Sequence, residues 1–195
     1  RSLRLTGREQ VLDLCTGTAD LAIAALDGGR GAQHVLGVDF AGEMLRVGLQ
    51  KTRDRNLTKQ VTLVRGDAAN IPAASASVDA VTVAFGIRNV QNTQGACDEI
   101  FRVLNGGGRL AVLEFAIPTT PGVRALYLWY FKHVLPRIGQ FFSKHNAAYG
   151  YLPASVGAFA TPDEFVTILR RSGFSDIQAV PLTFGIVYLY TARKG

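Results

Sequence analysis

The chain is poor in the residues that small proteins use as covalent or metallic staples. Its only cysteines are Cys15 and Cys97, with no C-x-x-C spacing, which excludes a disulfide-built secreted scaffold and a cysteine-rich zinc site. Charged residues are also scarce, at 18%, but the 48% of hydrophobic residues excludes a disordered tail. No uncharged stretch reads as a spanning helix, because the longest, 146–162 and 177–192, are broken by glycine and proline. There is no internal repeat, no low-complexity segment and no long basic run. The net charge of +6 therefore points to an anionic surface or an acidic substrate, and its even spread argues against nucleic acid. The first residue is Arg1 rather than Met, and no signal-peptide pattern follows. The expected compartment is the cytosol.

The 195 residues are enough for one domain with its own core. From residue 9 to 116, short Val- and Leu-rich runs alternate with helix-period stretches, the pattern of a parallel sheet with helices on both faces. The strands are expected at 10–14, 34–39, 61–65, 78–84 and 108–116. Ala96, Ile100, Val103 and Leu104 share one helix face, and Gly106, Gly107 and Gly108 are expected to stop that helix. An aromatic-rich insertion then runs from about 117 to 160. Thr161, Pro162, Asp163 and Glu164 open a capped helix with Phe165, Ile168 and Leu169 inward, and Gly173 closes it. Two last strands, 176–183 and 186–193, leave only Phe184 and Gly185 between them, the spacing of an antiparallel hairpin. The expected fold is α/β and Rossmann-like: a seven-stranded, mostly parallel sheet, helices on both faces and a C-terminal antiparallel hairpin.

The segment VLDLCTGTAD, residues 11–20, runs from a strand through a tight turn into a helix, where ligands sit at the carboxyl edge of such sheets. It lacks the G-x-G-x-x-G of dinucleotide sites and carries an acid, Asp13, in the strand end. A carboxylate repels pyrophosphate but tolerates a cofactor that bears a sulfonium and an ammonium. Asp39 ends the second strand, where an acid accepts both ribose hydroxyls. Asp67 follows the third, placed to accept from an adenine amino group, with Ala68 leaving room for the ring. Any one of these acids could be a turn or helix-capping residue. Three at successive strand ends form a constellation.

Several segments carry a family likeness: VLDLCTGTADLA, VLGVDFAGEML, DAANIP, VAFGIRNV, FRVLNGGGRLAVLEF, and HVLPRIG followed by YGYLPASV. Together they resemble the class I S-adenosylmethionine methyltransferases, and specifically the ubiquinone/menaquinone biosynthesis C-methyltransferase family. The resemblance implies that Thr18, Asp39, Asp67 and Ala68 contact the cofactor, with Ala84 at a further contact position. Asp13, Gly17 and Phe40 complete the candidate set. Cys15 and Ala19 depart from the family, which usually has a small residue and a glycine there, so cofactor affinity is expected to suffer if the backbone needs positive φ. The family's N-terminal region, which closes over the cofactor, has no counterpart here.

The implied reaction is transfer of the methyl group of S-adenosylmethionine to a ring carbon of a polyprenylated demethylmenaquinol or related benzoquinol, in line and without a metal. Arg88 is the candidate cation for the developing phenolate, with Asn89 orienting the hydroxyl or a water. Arginine stays protonated, so His133 or Tyr149 is the candidate for the proton's route. Arg88 could instead be a surface arginine paired with Asp79 or Asp98, and His133 a structural histidine. The aromatic and basic stretch 124–142 reads either as a lid that admits an isoprenoid tail from an anionic membrane or as a helix buried against the sheet. The expected partners are the quinol and, peripherally, the inner face of the cytoplasmic membrane; a homodimer is compatible. The rival readings are a methyltransferase for another small acceptor, a non-catalytic S-adenosylmethionine-binding module and a nicotinamide dehydrogenase.

Overall fold

The structure, a computed structural model, describes residues 3–27, 31–133 and 155–195. Seven strands form one sheet: β1 (Gln10–Leu14), β2 (His34–Asp39), β3 (Val61–Arg65), β4 (Val78–Ala84), β5 (Leu104–Phe115), β6 (Phe174–Leu182) and β7 (Val187–Lys194), in the order β3-β2-β1-β4-β5-β7-β6. The pairs among β1 to β5 are parallel, whereas β7 runs antiparallel to both β5 and β6. The order reverses beside β1, between β2 and β4, and this switch point opens a crevice at the carboxyl ends of the strands.

Neighbouring strand residues point to opposite faces, so each strand feeds two cores. Leu12, Val81 and Leu110 pack with α3 (Thr93–Val103) and α5 (Pro162–Arg171) on one face, through Ala96, Ile100, Phe165 and Leu169. Val11, Ala80 and Ala111 pack on the other face with Ala22 and Ile23 of α1 (Asp20–Ala24). Joining α1 there is α2 (Gly42–Asp54), whose Gly48 permits a close approach: a Cβ on it would lie 2.9 Å from Leu63 Cδ1 and 3.1 Å from Ala19 Cβ. After β5 the chain enters α4 (Pro121–His133). No helix among the described residues is long and apolar enough to cross a membrane.

The helix before β5 ends differently from the expectation. Leu104 leaves helical geometry at ψ 140° and begins β5, so Gly106, Gly107 and Gly108 lie inside the strand and do not stop the helix. They absorb a register shift, since Val78 pairs with Leu104 but Ala80 pairs with Arg109. At α5 the local signals and the tertiary fold agree. The Thr161 hydroxyl accepts from the Glu164 N–H, the Thr161 N–H donates back to the Glu164 carboxylate, and Gly173 follows the helix at φ 98°.

One polar group sits where the two crevice-forming strands meet. Asp13 is 1% exposed, and its two oxygens accept from the Thr16 and Thr82 hydroxyls, each at 2.6 Å. Those bonds tie the end of β1 to its own turn and to β4. Burial nevertheless prevails and pushes the Asp13 carboxyl up to about 6. A carboxyl with a raised folded-state pKa holds its proton more tightly when folded. Its contribution to stability therefore grows as pH falls through about 6 toward 4, and above that window it costs about 3 kcal/mol. Asp13→Asn should raise stability in urea unfolding near pH 8 by up to that amount, and the gain should shrink to nothing near pH 4. A gain that does not change with pH would show that Asp13 does not titrate in this window.

Candidate active site

The turn between β1 and α1 is built from residues that alternate into the left-handed region: Cys15 at φ 56°, Gly17 at φ 54° and Ala19 at φ 62°. The glycine expected to be needed at position 19 is thus replaced by an alanine that adopts the glycine-like conformation. Cys15 does the same four residues earlier, and each non-glycine residue there costs roughly 1–2 kcal/mol. Packing holds them in place. Ala19 is fully buried. Cys15 lies so close to the turn after β4 that a Cβ on Gly86 would come within 2.2 Å of its own Cβ. Burial also pushes the Cys15 thiol up to about 12, so it stays protonated and is a packing group, not a nucleophile.

Asp39 closes this turn. Its Oδ2 accepts from the Gly17 N–H at 2.7 Å, and its Oδ1 accepts from the Ala41 N–H at 2.8 Å. Both oxygens are thereby oriented, and each keeps lone-pair capacity for a further donor. The Gly17 N–H that a phosphate would need is already spent on a carboxylate. Beside it, Phe40 presents a ring 70% exposed, with the Arg65 guanidinium 5.5 Å from its centroid. Asp67 lies two residues beyond β3 in a turn fixed by the Ala69 N–H at 2.9 Å, next to the buried Ala68. Thr18 sits at the mouth of the turn, its hydroxyl donating to Asp20 and accepting from Lys51 Nζ.

Asp39 and Asp67 thus lie on one rim, but Asp13 departs from the expectation of a third presented carboxylate. It reaches a pocket of about 160 Å³ shared with Cys15, Thr16, Asp20, Leu21 and Ala84, yet both its oxygens are committed to threonine hydroxyls. It shapes the turn that Asp39 fastens. A larger concavity, about 430 Å³, lies at the opposite edge of the sheet among Arg8, Asp79, Asn105, Arg109 and Arg193. The smaller pocket is the better candidate, because it lies at the switch point and adjoins the oriented carboxylate.

Across the pocket, β4 leads into a single 3-10 turn, Ile87–Asn89, that carries Arg88. Arg88 pairs with neither Asp79 nor Asp98. Asp79 accepts from the Gln10 N–H and Asn105, and Asp98 accepts from Gln94 and Ser172. Its partner is Glu114 near the end of β5, at 2.8 Å, with the two side chains 9% and 0% exposed. Glu114 also accepts from the Phe115 and Arg88 N–H groups, and Arg88 donates to the Phe85 carbonyl and, through Nε at 3.3 Å, to Ser155. The guanidinium lies 5.5 Å from the Phe115 ring centroid, and Phe115 in turn packs on Phe85 at 4.5 Å. Sequence reasoning missed Glu114. The available signal was an acid inside the apolar run LAVLEFA, which is tolerable in a core only with a cationic partner. Asn89 is exposed beside Arg88. His133 ends α4, with its side chain outside the description, and Tyr149 lies outside the described residues.

The family model described as the ubiE/COQ5 methyltransferase family matches residues 2–194. Among curated relatives, a ubiquinone/menaquinone biosynthesis C-methyltransferase of Syntrophotalea carbinolica is 44% identical over 194 residues, covering 100% of this chain and 80% of its own. A demethylmenaquinone methyltransferase of Bacteroides fragilis is 38% identical over 186 residues, 95% of this chain and 76% of its own. A solved Aquifex aeolicus SAM-dependent methyltransferase shares the fold at TM-score 0.71 and 17% identity, over 100% of this chain and 86% of its own. So does Haemonchus contortus phosphoethanolamine N-methyltransferase 2 in complex with S-adenosyl-L-methionine, at TM-score 0.72 and 17% identity, over 97% and 49%. With the match running from one end of the sheet to the other, the chain belongs to the ubiE/COQ5 methyltransferase family.

Proposed function

We propose that this chain transfers a methyl group from S-adenosylmethionine to a ring carbon of a polyprenylated quinol in quinone biosynthesis. Within the family, the observation that carries this reading is the Asp39 carboxylate, oriented by two backbone N–H groups at the switch point. The donor set fits the cofactor: it offers acceptors for ribose hydroxyls and an amino group, and its turn amide is not open to phosphate. S-adenosylmethionine, when bound, supplies an electrophilic methyl group on a cationic sulfur. Asp39 would accept from the ribose hydroxyls, Phe40 would offer its exposed ring to the adenine, and Asp67 would accept from the adenine amino group beside Ala68. Gly17, Thr18 and Ala84 line the remaining wall, and Asp13 holds it in shape.

The acceptor carbon becomes nucleophilic as its ring hydroxyl loses a proton. With a pKa near 10, a phenol is only about 0.1% ionised at pH 7, a deficit of about 4 kcal/mol. Arg88 serves this step as a fixed hydrogen-bond donor, because Glu114 already balances its charge. Its Nη2 makes no hydrogen bond among the described residues and is the group we assign to the ring oxygen. Asn89 orients the hydroxyl or a bridging water, and the proton that the methylated ring carbon loses as aromaticity returns leaves by water toward His133 or Tyr149. Holding both reactants in line supplies much of the rate. The acceptor's tail is a membrane lipid, so the working protein meets the anionic inner face of the cytoplasmic membrane.

Asp39→Asn should weaken S-adenosylhomocysteine binding by calorimetry roughly 10- to 150-fold with the unfolding transition retained. Unchanged affinity would remove Asp39 from the site. Arg88→Ala should abolish transfer to the quinol while leaving that affinity nearly intact, and it should lower stability by about 3–5 kcal/mol by stranding Glu114. Combining Arg88→Met with Glu114→Gln should restore most of the stability and none of the transfer. If transfer returns with stability, Arg88 acts on the fold and not on the acceptor.

A further inference from the structure

The turn between β6 and β7 contains a residue that the fold gives no reason to keep. Phe184 stands at its apex with its ring 84% exposed and its backbone at φ 58°, the left-handed region that penalises a side chain with a Cβ. Strain is normally offset by packing, but this ring makes no aromatic contact among the described residues. Val180 and Leu182, on the adjoining edge strand, are exposed as well. The stretch 177–192 around the tip holds no charged residue.

Its position ties the tip to the acceptor side of the site. The Ala116 N–H donates to the Ile186 carbonyl at 2.9 Å, Phe115 pairs with Val187, and a Cβ on Gly185 would lie 3.9 Å from Pro118 Cα. The apex therefore extends the same rim as Arg88 and Phe115, two strand spacings or about 10 Å from β4. The chain that leaves β5 at this corner is one-sided in charge. Between Glu114 and Asp163 there is no acidic residue, while Arg124, Lys132, Arg137 and Lys144 fall in that interval. Exposed Leu126 lies on α4, which starts from the same corner.

We propose that the β6–β7 tip is a membrane-docking prong: Phe184, flanked by Leu182 and Val180, inserts among the headgroups of an anionic bilayer beside the acceptor opening. The choice of a lipid surface rests on the polyprenylated-quinol reading above. An aromatic ring held out by the backbone enters the interface without first leaving a core, and the uncharged stretch 177–192 around it meets negative headgroups without repulsion. Docking there places the opening where a tailed quinol can enter without its tail crossing water.

The test is co-sedimentation with phosphatidylcholine vesicles, with and without phosphatidylglycerol. The chain should bind the phosphatidylglycerol vesicles. Phe184→Gly should weaken that binding roughly 10- to 100-fold, with a melting temperature that holds or rises because glycine suits the backbone. That variant should still methylate a tailless, water-soluble quinol. In a Trp129→Phe background, Phe184→Trp leaves one tryptophan, whose emission should shift to the blue on these vesicles. Equal binding by Phe184→Gly, or an unshifted tryptophan, overturns the proposal. A chain that methylates the tailless quinol but never sediments also overturns the prong and leaves the function standing, whereas Phe184-dependent sedimentation without any quinol methylation supports the prong and fails the function. A dimer in solution that Phe184→Gly dissolves, with no response to vesicles, makes the tip an interface between copies and overturns the lipid assignment.

Discussion

The rim of this sheet depends on a carboxylate that spends part of its hydrogen-bonding capacity on backbone. Asp39 takes the Gly17 N–H and the Ala41 N–H, and so joins the turn after β1 to the start of α2. The turn has to reverse direction in five residues and does so by alternating into left-handed geometry. Thr16 and Ala19 donate their N–H groups to backbone carbonyls, so Asp39 occupies the turn amide that would otherwise be open to an anion. With Asp39 in place the same backbone becomes an acceptor surface, suited to hydroxyls and to positive charge. The ligand class is therefore set by what already fills the turn.

A second constraint acts across the pocket. Arg88 comes from the turn after β4 and Glu114 from near the end of β5, and each offsets the cost of burying the other's charge. Through Phe85, Phe115 and Ser155 the pair also fixes the wall on which an acceptor ring would rest. The two sides of the crevice are thus organised by the same device, a buried or half-buried carboxylate that positions a neighbouring group. They differ in the group held, a backbone amide on one side and a guanidinium on the other.

The strands were legible because a parallel sheet covered on both faces must use near-continuous apolar runs, and such runs stand out in QVLDL, HVLGVD and VDAVTVA. The capped start of α5 was legible because every group it needs lies within four residues. What escaped depended on partners far along the chain. Whether Asp13 faces a ligand is decided by Thr82, 69 residues away, and Arg88 found its counter-ion 26 residues on, not in the nearer acid Asp98. The triple glycine misled for a different reason. Glycine ends helices and relieves bulges by the same conformational freedom, and only the β4 register shows which of the two applies.

The position of β7 has a consequence for how the molecule is made. β7, the last strand among the described residues, lies between β5 and β6 and pairs with both. Until its residues leave the ribosome, β5 presents a bare hydrogen-bonding edge and β6 has nothing to join. The wall that carries Arg88 and Phe115, which leans on β5 and on the Ala116–Ile186 bond, is therefore completed last, after the crevice between β2 and β4 can already have formed. A nascent chain can form the β2–β4 crevice early, and it is exposed to faulty edge pairing on the other half until β7 has emerged.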